Sequence, residues 1–96
     1  MAHFTNDEAV HEWEEFADGL RRGLIERDYM TDLDMRESFE TSERTLTDAQ
    51  RAAVEHADRF VRERLISVLQ MHHLIEEYRN LGASRPPKFW WWHMEE

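Results

Sequence analysis

Carboxylates and imidazoles are the side chains of this sequence best suited to chemistry, and two groups of them stand at telling spacings. Glu8-x-x-His11 repeats the one-turn spacing with which carboxylate and imidazole ligands hold iron or manganese inside helical bundles. Such ligands must point inward. A helical projection instead puts His11 opposite Trp13 and Leu20, beside Glu14, Glu15 and Asp18, so the pair reads as surface charge with Glu15 one turn on. His72 and His73 lie in an uncharged segment, but neighbours on a helix diverge by about 100° and cannot easily share one ion. His72 is expected as a buried, hydrogen-bonded side chain. A site assembled from His72, Glu76 and a second copy of the chain is the remaining metal alternative.

The sequence has no cysteine, which removes thiolate catalysis, disulfides and cysteine-held zinc or iron-sulfur centres. No glycine-rich phosphate loop, nucleophile elbow or Ser/His/Asp spacing occurs. The reading is a protein that is not an enzyme and that has no cofactor and no metal.

Charge carries the stronger signal. The net charge of −9 comes from one half: residues 1–50 hold 14 Asp/Glu against 5 Arg, and residues 51–96 hold 7 acids against 7 bases. Nucleic acid and anionic membranes would repel that first half, whereas a basic protein surface would attract it. Arg51, Arg59, Arg62 and Arg64 share one helix, but Glu55, Asp58 and Glu63 interleave with them, so direct nucleic-acid binding is not expected. The expected partner surface is Glu8, Glu12, Glu15, Asp28, Asp32, Asp34, Glu37 and Glu40. The function expected from it is that of a non-enzymatic inhibitor, which occludes a basic, nucleic-acid-binding surface on a partner protein. Nuclease immunity proteins and phage-encoded inhibitors of defence systems offer an analogy of charge and size alone. Solubilising acidity, an oligomeric assembly protein and a His/carboxylate metal protein are the alternatives.

Helices must position these groups. Thr5 and Glu8 form a capping box behind Phe4, and Ala9, Val10, Trp13, Phe16, Ala17, Leu20 and Leu24 then recur on one face to about Arg27. Gly23 near that stripe would let a neighbouring helix approach closely. Thr31 is placed to cap a short acidic helix carrying Met35 and Phe39. Thr47 and Gln50 make a second capping box, opening a helix that nothing interrupts before Gly82, roughly 50 Å long at ~1.5 Å per residue. Within it, residues 65–75 contain no Asp, Glu, Lys or Arg and are apolar all round, which marks a buried helix. Arg64 falls in the apolar stripe and should pair with an acid such as Glu12.

Beyond Gly82, Pro86 and Pro87 predict extended chain carrying Phe89, Trp90, Trp91 and Trp92. Those aromatics either cover residues 65–75 of their own chain, seal a homodimer, or form a hot spot for another protein. Neither a signal peptide nor an apolar run of spanning length is apparent, so the expected location is cytoplasmic, with no membrane partner. The fold expected is all-α, a small helical bundle of two long antiparallel helices plus a short acidic helix. Residues 1–82 form the helical domain and residues 83–96 an extended aromatic C-terminal tail packed on it.

Overall fold

A computed structural model describes residues 5–41 and 44–95; Phe4 and Glu96, at the margins of the first and last segments, lie outside them. The described residues form α1 (Asn6–Arg21), α2 (Tyr29–Ser38), α3 (Asp48–Met71), α4 (Ile75–Gly82) and a 3-10 turn over Trp90–Trp92. The fold is all-helical, with no strand among the described residues.

Both capping boxes form. The Thr5 hydroxyl accepts from the Glu8 N–H at 3.1 Å while the Glu8 carboxylate accepts from the Thr5 N–H at 2.9 Å. Thr47 and Gln50 repeat the arrangement at 3.1 and 2.9 Å. Each box satisfies two backbone donors that a helix start leaves unpaired.

The helix ends differ from the sequence expectation. α1 stops at Arg21 instead of near Arg27, because the Leu24 N–H bonds the Gly19 carbonyl at 2.8 Å and the Gly23 N–H bonds that of Leu20 at 3.0 Å. Gly23, at φ 74°, supplies the left-handed residue that this cap requires, and so acts as a stop. The long helix breaks the same way at Met71 instead of continuing to Leu81. The Leu74 N–H reaches the Leu69 carbonyl at 2.8 Å, the His73 N–H reaches that of Gln70 at 3.2 Å, and His73 takes φ 59°. A left-handed L-residue costs about 1–2 kcal/mol, and the chain turns there into α4.

The break also brings the helix within the size of the molecule. Twenty-four residues of α3 span ~36 Å, which matches the longest dimension of the molecule, 35 Å. Leu65, Val68 and Leu69 point into the core, Leu74 and Ile75 pass to the next element, and Met71 is left 64% exposed at the corner. Residues 65–75 are therefore not one buried helix.

The sense of packing is also corrected. Asn6 donates to the Thr45 carbonyl at 3.0 Å, Gln50 to Asp7 at 2.7 Å and Trp13 to Asp58 at 2.9 Å, and the His72 ring meets the Gly23 carbonyl at 2.9 Å. Partners advance together along both chains, so the two longest helices run parallel and not antiparallel. α2 is the return stroke: Arg36 meets Asp58 while Glu40 meets Arg51, the opposed order.

The C-terminal segment is built into the core. The Phe89 N–H bonds the Pro86 carbonyl at 3.0 Å and the Trp92 N–H that of Phe89 at 3.0 Å, which makes successive turns where extended chain was expected. Phe89, Trp91 and Trp92 are buried in one cluster with Trp13, Tyr29, Leu33, Val61, Leu65 and Tyr78. The Tyr78 hydroxyl pins the segment by donating to the Trp91 carbonyl at 2.8 Å and accepting from the Met94 N–H at 3.1 Å.

Candidate interaction site

α1, α2 and α3 converge on one buried ion pair. Arg36 of α2 and Asp58 of α3 are each 3% exposed. Asp58 accepts from Arg36 Nε at 3.0 Å, from Arg36 Nη2 at 2.8 Å and from Trp13 Nε1 of α1 at 2.9 Å. Arg36 Nη1 reaches Glu40 at 2.7 Å, and the guanidinium lies over Trp91 at 4.7 Å from the ring centre. Burial alone would lower the guanidinium's proton affinity, but the hydrogen bonds and charge of Asp58, then of Glu40, outweigh it and raise it. The pair thus holds three helices and the aromatic segment in one register.

The eight acids expected as a partner surface divide accordingly. Glu8 caps α1, and its hydrogen bonds from Thr5 hold its carboxyl below the ordinary value. Asp34 pairs with Arg85 at 3.2 Å. Glu40 bridges Arg36 and Arg51, whose proximity outweighs partial burial and lowers its pKa. Glu37 is half-buried on α2.

Glu12, Glu15, Asp28 and Asp32 instead line one groove between α1 and α2, joined by Glu26, which the expected set omitted. The groove encloses about 350 Å³, and Phe16, Gly19, Leu24, Ile25 and Met35 also line it. Its one positive charge, Arg22, faces Asp18 at 3.4 Å. Glu15 has His11 at 2.9 Å. Among the described residues, no basic side chain comes within ion-pair distance of Glu12, Glu26, Asp28 or Asp32. Burial, followed by the charges of Asp28, Glu12 and Glu26, pushes the Asp32 carboxyl up to about 7.

The aromatic residues occupy another face. Phe89 stacks on Trp91 at 5.1 Å, and half-buried Trp90 meets Trp91 edge-on at 5.6 Å with Arg62 over its outer ring at 4.1 Å.

Two expectations for single residues fail. Arg64 is exposed, and the internal arginine is Arg36. His72 is exposed, its ring bonded to the Gly23 carbonyl. Among the described residues, no three His, Asp or Glu side chains are grouped so as to hold a metal ion. No helix among them is long and apolar enough to cross a membrane.

Comparison with family models, with curated proteins and with solved structures finds no match.

Proposed function

We propose that this is a non-enzymatic interaction protein whose α1–α2 face binds a basic protein surface and occludes the site where that partner takes nucleic acid. One observation carries the reading. Glu12, Glu26, Asp28 and Asp32 converge on a concave surface without counter-charges of their own, whereas Asp34 is matched by Arg85 and both Glu40 and Asp58 by Arg36. A cationic partner would supply the missing charge. Long-range attraction would speed encounter, and exclusion of nucleic acid would follow from bulk and repulsion together.

The test is competition. A partner captured by the protein at ~0.1 M salt should release bound oligonucleotide as the protein is added, and capture should weaken at ~0.5 M salt, where the Debye length shortens. A folded variant carrying Glu12→Gln, Glu26→Gln, Asp28→Asn and Asp32→Asn should lose both effects. Undiminished binding by that variant would remove the basis of the proposal.

A further inference from the structure

Resting on the reading above, we infer that the α1–α2 groove receives a short amphipathic helix of the partner, with an apolar ridge flanked by arginine or lysine. Two antiparallel helices form the walls, leaving a channel into which a third can lie lengthwise. The floor comes from half-buried Phe16, Ile25 and Met35, and Gly19 adds no side chain, so the channel admits a row of aliphatic anchors. Leu24, 51% exposed, stands at the closed end beyond Gly19 and extends the apolar track to solvent.

Charge complements this floor. Glu12 lies on one wall, Asp28 and Asp32 on the other, and Glu26 in the loop that closes the end, so cations are matched on both flanks of an apolar ridge. The length fits as well. From Glu12 to Arg22, α1 advances ~15 Å, the rise of about ten helical residues or three turns. A volume of about 350 Å³ holds a few side chains and not the face of a globular domain. A second copy of this chain, at net charge −9, would bring acid against acid.

The experiment is an amide NMR titration of the full chain with three probes at ~0.1 M salt. The first is a 12-residue Leu/Arg peptide with leucines at i, i+3 and i+7. The second is its scrambled isomer of equal charge, and the third is spermine. The amphipathic peptide should shift the amides of Gly19, Ile25 and Met35 and bind about tenfold more tightly than the scramble. Leu24→Ser, at an exposed position, should remove several-fold of that preference. Equal affinity for peptide and scramble, or spermine binding as tightly as the peptide, would overturn the helix inference while leaving the acidic-face function intact. If no cationic probe moves groove resonances, the inference and the function both fall.

Discussion

Asp58→Ala removes the acceptor at which α1, α2 and α3 meet. Three hydrogen bonds disappear, at 2.8, 2.9 and 3.0 Å, two of them from a guanidinium. Arg36, 3% exposed, then keeps, among the described residues, only Glu40 as an ion-pair partner. Breaking a buried pair from one side costs about 3–5 kcal/mol, chiefly because the surviving charge stays desolvated. A domain of this size is stable by about 5–15 kcal/mol in total, and each lost kcal/mol lowers its Tm by about 4–8 °C. The variant should therefore melt more than about 10 °C below the parent.

Urea unfolding followed by tryptophan fluorescence measures this directly, since Trp13 and Trp91 both touch the pair. The companion is the double variant Arg36→Met with Asp58→Leu, which removes both charges and keeps bulk. It should cost less than Asp58→Ala alone, because no uncompensated ion remains. A loss below about 1 kcal/mol for Asp58→Ala would refute the reasoning, and so would a double variant whose cost equals the sum of the singles.

Gly82→Ala would set a Cβ 2.5 Å from the Trp92 carbonyl oxygen, a backbone atom that must shift. The expected loss is about 1–3 kcal/mol with altered tryptophan fluorescence, and an unchanged melting curve would contradict the close approach. His73→Gly relieves the left-handed conformation at φ 59° and should stabilise by about 0.5–1 kcal/mol once the added freedom of the unfolded chain is allowed for. Destabilisation in urea titrations would rule that account out. Asp32 is pushed up to about 7 from an ordinary 3.8, so its ionisation opposes folding: the penalty is absent below the ordinary value, grows up to the folded one, and is complete above it. Asp32→Asn should raise stability near pH 8 on the order of 1 kcal/mol after solvent screening, and leave it unchanged near pH 4; equal effects at both would show that charge is not the cause.

What could be read beforehand was local. Both capping boxes depend on residues three apart and are present. The break at Met71 could not be read, since it depends on a histidine in a conformation that histidine does not favour. The parallel sense of α1 and α3 follows from α2, which is ten residues long and makes a full traverse, and a thin apolar stripe did not disclose that. The buried pair did leave a trace in the spacing. Asp58 is four residues from Val54, three from Val61 and seven from Leu65, all buried, and Arg36 is seven and three from buried Tyr29 and Leu33. Arg64 mimics such a position because it lies one turn from Val61. Its edge of α3 continues to Met71, which is 64% exposed.

The sorting of the acids bears on the proposed function. A count of charges treats every carboxylate alike, but the fold matches some with Arg36 or Arg85 and leaves the groove acids to repel one another, with Asp32 under the charges of Asp28, Glu12 and Glu26. Glu15, beside His11, and Arg22, beside Asp18, do not relieve that repulsion. A cationic helix bound there would favour the ionised form of Asp32, so binding and ionisation are linked. Only about a tenth of a group with a pKa of about 7 is ionised near pH 6, against about nine-tenths near pH 8. Affinity for a basic partner should then rise up to about tenfold over that interval through this one residue, and lose the dependence in Asp32→Asn. The destabilisation that Asp32 imposes on the free protein and the pH dependence of partner binding are two measurements of one cost, that of charging a partly buried carboxylate among other acids.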